Sequence, residues 1–478
     1  MNQPIQLPQG FRLGAATASF QIEGARHEDG KSDSIWDTFC GVPGAVAEGH
    51  TGDEACDHYH RYADDVKIMR ELHLDTYRYS IAWPRVVPDG VRLETRGIDF
   101  YSRLTDSLLE AGIEPWVTLY HWDLPQALED QGGWRSRTTA HRFADYSRLV
   151  FERLCDRVRV WTTLNEPWCS AFLGHASGDH APGRQNACEA MHAAHHLNLA
   201  HGLAVGELRA AGCTVENGFQ LGLTINPTVF WPEDPSSAAD RHAAARYDAL
   251  RNRLWLDPVF RGEYPLELLG ERERTALEEV IHSGDMSVIS GPIEVLGVNF
   301  YHGEQVRALP EPASGDAGAA SAYPGTADIT VSSRGLPRTA MGWEVEADDF
   351  RILLERLHNE YVAASGSHLV VTENGAAYHD EADGAGYVDD TDTRLAYIHA
   401  HVRAVLQAVD NGVDVRGYLA WSLLDNFEWA WGYTRRFGIV RVDFETQERV
   451  PKASARWLAD VARTRILVEP GAGGALDA

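Results

Sequence analysis

Glu166 and Glu373 stand far apart in the chain but in the same kind of surroundings. Val158-Arg159-Val160-Trp161-Thr162-Thr163-Leu164 is apolar and β-branched, and it runs into Asn165-Glu166-Pro167. A proline cannot donate to a sheet ladder, so a strand there must stop by Glu166. His368-Leu369-Val370-Val371-Thr372 repeats the pattern, ending in Glu373 and then Asn374-Gly375, a pair suited to turning the chain. A carboxylate where a buried parallel strand ends lies at the mouth of a pocket, which is where α/β barrels keep their chemistry. Two such carboxylates can divide the work of acid and nucleophile, the pair that cleavage of a glycosidic bond requires. At roughly 5–5.5 Å apart, one attacks the anomeric carbon directly and the configuration is retained. Arg78 is expected to partner Glu373 and lower its pKa, so that it stays ionised. Burial and the neighbouring negative charge are expected to raise Glu166.

Short apolar or β-branched runs alternate with segments of helical period along most of the chain. The runs are Phe11–Ala16, Thr76–Ser80, Trp116–Tyr120, Val158–Leu164, Leu221–Ile225, Val295–Asn299, His368–Glu373 and Gly417–Trp421. The helical segments are Tyr62–His73, Ile98–Glu110, Phe143–Leu154, Glu189–Ala210, Ala238–Leu254, Asp348–Tyr361, Thr393–Val409 and Ala453–Ala462. Eight such units without a break in composition predict a single (β/α)₈ barrel over residues 1–467, with long loops around its C-terminal mouth. A doubly wound sheet is the alternative, but no Gly-rich fingerprint follows the first strand. Ala308–Met341, rich in Gly, Ala, Ser and Pro, reads as a long rim or lid loop after strand six. Residues 468–478 read as a disordered tail.

The residues at the predicted strand ends are of one kind: Gln21 after the first strand, Arg78 on the second, His121 and Trp122 after the third. Asn165 and Glu166 follow the fourth, Asn299 and Tyr301 the sixth, Glu373 the seventh, and Trp421 the eighth, with Glu428 and Trp429 beyond. Most can hydrogen-bond a hydroxyl, and the tryptophans can stack on the C–H face of a sugar ring. With 14 Trp and 17 Tyr in the chain, and with Trp83, Trp122, Trp168, Trp421 and Trp429 beside polar residues at strand ends, a carbohydrate cleft is expected. No Walker loop, HExxH or nucleotide fingerprint competes.

The bulk properties narrow the partners. Lys and Arg number 43 against 70 Asp and Glu, a formal charge of -27, which argues against nucleic acid and against an anionic membrane surface. No run of about eighteen apolar residues is present, and Met1–Gly10 lacks the plan of a signal peptide. The six cysteines, Cys40, Cys56, Cys155, Cys169, Cys188 and Cys213, include no CxxC pair and read as reduced cytosolic thiols. The metal-like content of Cys56-Asp57-His58-Tyr59-His60, and of Cys188 with His192, His195, His196 and His201, is read as structural. No metal and no cofactor is expected. Trp134 is assigned to core or rim.

The whole length of the chain resembles glycoside hydrolase family 1, the retaining β-glucosidase family. Phe11-Arg12-Leu13-Gly14-Ala15-Ala16-Thr17-Ala18-Ser19-Phe20-Gln21-Ile22-Glu23-Gly24 and Ser34-Ile35-Trp36-Asp37-Thr38-Phe39 are similar to its N-terminal signature. Thr163-Leu164-Asn165-Glu166-Pro167 resembles its acid/base motif, and Val371-Thr372-Glu373-Asn374-Gly375 its nucleophile motif. Trp421-Ser422-Leu423-Leu424-Asp425-Asn426-Phe427-Glu428-Trp429 resembles its late sugar-binding segment. The resemblance implies Glu166 as acid/base and Glu373 as nucleophile, supported by Arg78, Asn299 and Tyr301. It implies substrate contacts from Gln21, His121, Asn165, Trp421, Glu428 and Trp429, with which Trp122 and Phe437 are grouped. Trp168, Leu173 and Trp343 fall on the leaving-group side.

Members that lose the acid/base Glu act on thioglucosides, and members specific for 6-phosphorylated sugars usually lack the counterpart of Glu428. Both carboxylates are kept here, so an unphosphorylated β-D-glucoside or cello-oligosaccharide is the expected substrate. β-D-galactosides and β-D-fucosides fall within reach of the same residues. His175 stands where the family commonly has Tyr. A lectin-like barrel would have lost one of the two catalytic carboxylates. A transglycosidase would share every catalytic residue. A cytoplasmic location is expected. Monomer and homo-oligomer both fit.

Overall fold

The computed structural model describes residues 5–310 and 320–470. Eight parallel strands close into a barrel: β1 (Arg12–Ala16), β2 (Thr76–Ser80), β3 (Glu114–Tyr120), β4 (Val160–Asn165), β5 (Gln220–Ile225), β6 (Val295–Asn299), β7 (His368–Asn374) and β8 (Val415–Trp421). Each pairs with the next in sequence, and β8 closes onto β1 with Gly417 opposite Arg12 and Trp421 opposite Ala16. This is the (β/α)₈ barrel that the alternation of runs predicts.

Strands in such a barrel are covered on both faces, so their side chains are buried throughout. β2, β4 and β7 have no exposed residue. In β4, Thr162 accepts from Trp116 Nε1 of β3 at 2.8 Å. The next residue, Thr163, meets His201 Nδ1 of the helix Ala187–Ala210 at 2.7 Å. The same alternation in β2 turns Tyr77 and Tyr79 together as a stacked pair, 5.6 Å between rings, and leaves Arg78 free to reach the opposite way.

The helices begin where the sequence supplies caps. Ser136 accepts from Thr138 N ahead of Arg137–Leu154, and Asn186 accepts from Cys188 N and Glu189 N ahead of Ala187–Ala210. Three predicted helices contain a π-helical turn, the one over Thr393–Val409 at its start, in Thr391–Leu395. Ala238–Asp248 passes through a π-helical turn at Ala249–Arg253 before Leu254–Phe260. Ala347–Leu357 does the same at His358–Val362. A π turn holds one residue more than the regular period allows, which apolar spacing alone does not reveal.

The segment expected as a loop over Ala308–Met341 has structure of its own. Ile329–Ser332 pairs antiparallel with Glu304–Ala308, which lies parallel to Phe230–Pro232, giving a three-stranded sheet at the rim of the barrel. Residues 311–319 lie outside the described part. Of the expected tail, residues 471–478 also lie outside it, whereas Val468 carries a carbonyl that accepts from Trp457 Nε1 at 3.0 Å.

Candidate active site

A cavity of about 470 Å³ opens at the C-terminal ends of the strands. Its floor carries Glu166, Glu373, Asn299 and Tyr301. His121, Trp122, Trp421 and Trp429 pack into one wall with Glu428 beside them, Phe437 packs on Tyr301 and Trp343, and Trp168 and Leu173 line the cavity as well. Three other expected residues, Gln21, Arg78 and Asn165, are wholly buried just behind the lining. Trp83 is not part of the site. It lies in the core, stacked on Tyr146 with ring centres 4.8 Å apart, because the short helix Trp83–Val86 carries it away from the mouth. Trp134 is also core, donating to the Tyr120 hydroxyl.

The strand ends are irregular where the two carboxylates leave the sheet. Glu166 has φ +44°, a left-handed value uncommon for a side chain with a Cβ. The register of β4 against β5 shifts between Thr162 and Asn165, and that of β7 against β6 between Val371 and Glu373. Such shifts re-aim side chains at barrel rims. Gly375 serves the site differently from the expected turn. Its φ is not positive, and a Cβ there would fall on the Trp421 carbonyl oxygen. The glycine lets β7 and β8 approach each other behind the cavity.

One chain of hydrogen bonds ties the two glutamates together. Arg78 Nη1 donates to Glu373 Oε1 at 2.7 Å, and its Nη2 donates to Asn165 Oδ1 at 2.6 Å. Asn299 Nδ2 donates to the same Asn165 oxygen at 3.1 Å and to Glu166 Oε1 at 2.6 Å. Thr372 orients Asn299 by donating to its Oδ1 at 2.7 Å. Tyr301 donates to the other oxygen of Glu373 at 2.7 Å, and the Cys169 thiol to Glu166 Oε2 at 3.1 Å. Each carboxylate therefore has both oxygens occupied by donors, but of different kinds. Glu373 meets a cation and a phenol, while Glu166 meets a neutral amide and a thiol.

Burial pushes both carboxyls up. Glu373 is raised to about 7: desolvation leads, Arg78 pulls against it, and the charge of Glu166 adds to the rise. Glu166 is raised as well, by desolvation, with Asn299 and Cys169 opposing. Arg78 pulls in the expected direction, but closing the carboxylate off from water outweighs one guanidinium, so the net shift of Glu373 is upward. The repulsion between the two negative charges is mutual and raises the pair as a whole. The two titrate as a pair. The Arg78 guanidinium, a charged donor that Glu166 lacks, favours the first negative charge on Glu373.

Beside them is a set of polar atoms with no protein partner. His121 Nε2 accepts from Asn165 Nδ2 at 3.0 Å, since the oxygen of that amide is committed to Arg78. This leaves the proton on His121 Nδ1, which has no acceptor. Burial holds the ring neutral. Gln21 donates to the Phe427 carbonyl at 2.8 Å and leaves its Oε1 free, and Glu428 Oε2 is free too. Desolvation and the charges of Glu373 and Glu166 raise Glu428 to about 8. Glu428 keeps some contact with solvent through the open cavity. Trp429 lies parallel to Phe20, rings 6.0 Å apart, and close to Trp36 and Trp122, so this wall is held in place by aromatic packing.

Several lining residues escape a sequence reading. Asn226 directly follows β5, the one strand for which no end residue had been singled out, and donates to Cys169 Sγ at 3.3 Å. Cys169 lies one helical turn beyond Glu166, a spacing that could have found it. Arg251, His180, Glu304 and Tyr323 also line the cavity, from segments with no strand-end signal. The histidines of Ala187–Ala210 have protein partners: His195 bridges Tyr264 and Asp285, and His196 faces the Trp134 carbonyl. His58 pairs with Asp65, which also binds Arg449. His175 is buried against the Ser170 carbonyl. Among the described residues no group of three or more His, Cys, Asp or Glu is arranged to hold a metal ion, and no helix is long and apolar enough to cross a membrane.

The family model for glycosyl hydrolase family 1 matches residues 3–466. Thermostable beta-glucosidase B of Thermobispora bispora is 48% identical over 462 residues, covering 96% of this chain and 91% of that protein. The bifunctional beta-D-glucosidase/beta-D-fucosidase of Bifidobacterium breve is 46% identical, covering 94% of this chain and 96% of that protein. Among solved structures, the psychrophilic beta-glucosidase BglU of Micrococcus antarcticus superposes with a TM-score of 0.91 at 49% identity, covering 96% of this chain and 98% of that one. With the barrel, the paired glutamates and these likenesses together, the chain belongs to glycosyl hydrolase family 1.

Proposed function

We propose that this protein is a retaining β-glucosidase acting on unphosphorylated β-D-glucosides from the non-reducing end. The carrying observation is the unequal donor set around two buried glutamates linked through Arg78, Asn165 and Asn299. Glu373, paired with a guanidinium, is the nucleophile, and Glu166, facing neutral donors, holds the proton. In the first step the Glu373 carboxylate bonds to the anomeric carbon while the bond to the leaving oxygen breaks and Glu166 protonates that oxygen. In the second, Glu166 takes a proton from water, whose oxygen attacks the anomeric carbon and frees Glu373. Tyr301 and Arg78 hold the Glu373 carboxylate in line for the attack, and it regains its charge when the second step frees it.

The free Gln21 Oε1, His121 Nδ1–H and Glu428 Oε2 offer two acceptors and a donor to sugar hydroxyls. The cations lining the cavity lie elsewhere: Arg251 stacks on Trp168, and Arg338 binds Glu344 and the Gly342 carbonyl. Among the described residues no cation pairs with Glu428, which leaves a 6-phosphate without a counter-charge there. A fucoside lacks only the 6-hydroxyl and has galactose stereochemistry, so glucosides, fucosides and galactosides all suit these groups. Transfer to an acceptor sugar uses the same two steps with a hydroxyl in place of water.

The test is kcat/KM on 4-nitrophenyl β-glucoside, β-galactoside, β-fucoside and 6-phospho-β-glucoside with EDTA present, beside Glu373→Gln. Turnover of the plain glycosides, lost in the variant, supports the reading. Turnover of the phosphorylated sugar alone overturns it.

A further inference from the structure

The cavity holds a second polar cluster, built from Arg251, Glu304 and Asn226, against the aromatic side chains of Trp168 and Tyr323. Arg251 lies flat over the Trp168 ring, its guanidinium carbon 3.8 Å from the ring centre. Its Nε donates to the Asn226 carbonyl at 2.8 Å, and among the described residues no carboxylate stands within ion-pair distance of it. Glu304 is mostly enclosed, with a side-chain exposure of 19%; its Oε1 lies 4.0 Å from Nδ1 of His302, a ring that burial keeps neutral, and its Oε2 has no partner. Tyr323 packs between Trp168, 5.5 Å away, and Tyr247, on which it stacks at 4.1 Å. Asn226 connects this cluster to the proton donor through Cys169, so it stands on the leaving-group side of Glu166.

A cation without a counter-charge and a carboxyl with one oxygen unpartnered are poorly matched to an apolar leaving group. An aryl or alkyl group would strip water from both without replacing its hydrogen bonds. It would also find one face of Trp168 already covered by the guanidinium. A leaving group with adjacent hydroxyls satisfies both at once, because each hydroxyl can accept from Arg251 and donate to Glu304.

Resting on the β-glucosidase reading above, we infer that Arg251 and Glu304 form a leaving-group site for a sugar, so that the enzyme is selective for β-linked oligosaccharides over aryl and alkyl glucosides. The carboxyl also disfavours an anionic leaving group, which Arg251 alone would have welcomed.

The test compares kcat/KM on cellobiose and on 4-nitrophenyl β-glucoside for the native enzyme, Glu304→Leu, Glu304→Gln and Arg251→Met. For Glu304→Leu the loss on cellobiose should exceed the loss on the aryl glucoside by about tenfold or more, mainly through KM. Glu304→Gln, which keeps an acceptor oxygen, should recover part of it. Arg251→Met should show the same selectivity, with a second, separable effect. Removing a cation near Glu166 raises the acid's pKa, moving the basic limb of the pH profile upward on both substrates alike. Equal losses on both substrates, or undiminished cellobiose hydrolysis in Glu304→Leu, overturns the inference. A native enzyme that cleaves neither substrate contradicts the β-glucosidase reading instead.

Discussion

Arg78 and Glu373 meet at 2.7 Å, each all but closed off from solvent. That contact is one end of a relay whose other end is the 2.6 Å bond from Asn299 to Glu166. Asn165 joins the halves with a single oxygen that accepts from both Arg78 and Asn299. The relay fixes the mutual position of the two carboxyls without either touching the other, and it gives them different charges to face.

Replacing Arg78 by Gln should shift the acid limb of kcat/KM upward by about 1–3 units, the size of effect one close opposite charge has on a carboxyl. The sign follows from the loss of the one cation that opposes desolvation of Glu373, which must be ionised to attack. An acid limb that stays put would show that Arg78 only fills space.

Tyr301→Phe removes a donor from the charged form of Glu373. A loss in kcat/KM of about ten- to a hundredfold is expected, the range for a hydrogen bond to a charged group, with the acid limb moving in the same direction as in Arg78→Gln but less far. The pH profile separates this from a purely steric change, which would lower the rate at every pH equally.

Cys169→Ala should move the opposite limb. The thiol steadies the charged form of Glu166, so its loss raises the acid's pKa and carries the basic limb upward by a fraction of a unit. Cys169→Ser retains a donor and should restore the native profile. If both variants match the native enzyme, the thiol has no hold on the acid.

Stability of the unliganded protein should pass through a maximum slightly below neutral pH. Glu428 and Glu373 are raised, to about 8 and about 7. Their contribution is complete below the ordinary carboxyl pKa and is lost as pH climbs through those values. Buried neutral histidines act in the other direction. His196, His201 and His401, each lowered by desolvation to about 4, contribute stability that is present above pH 6.5 and lost as pH falls toward 4. Glu428→Gln should raise the Tm at pH 8.5 while changing it little at pH 5, a differential on the order of 1–2 kcal/mol once solvent in the open cavity is allowed for. An equal change at both pH values would mean that Glu428 is not the titrating group.

The barrel and both glutamates were legible because strand ends announce themselves locally. An apolar run stopped by Asn-Glu-Pro or Glu-Asn-Gly places a carboxylate at the rim whatever the rest of the chain does. What the sequence leaves unmarked depends on contacts between distant segments. Trp83 matches Trp122 in its local setting, yet a four-residue helix takes it into the core. Glu304 and Arg251 come from a rim strand and a π-helical turn, and contacts between distant segments, among them Tyr323 on Trp168 and Arg251 on the Asn226 carbonyl, bring them together at the cavity. The direction of Glu373's pKa was also out of reach, since Arg78 is visible in the sequence while the completeness of burial is not.

The most direct measurement is peptide mapping by mass spectrometry after inactivation with a 2-deoxy-2-fluoro-β-glucoside bearing an activated leaving group, which slows the second step more than the first. One added fluoroglucosyl group is expected, carried on the Glu373 side chain and released when turnover resumes. Sugar attached to Glu166, or steady turnover in Glu373→Gln with no covalent adduct in the native enzyme, would contradict it.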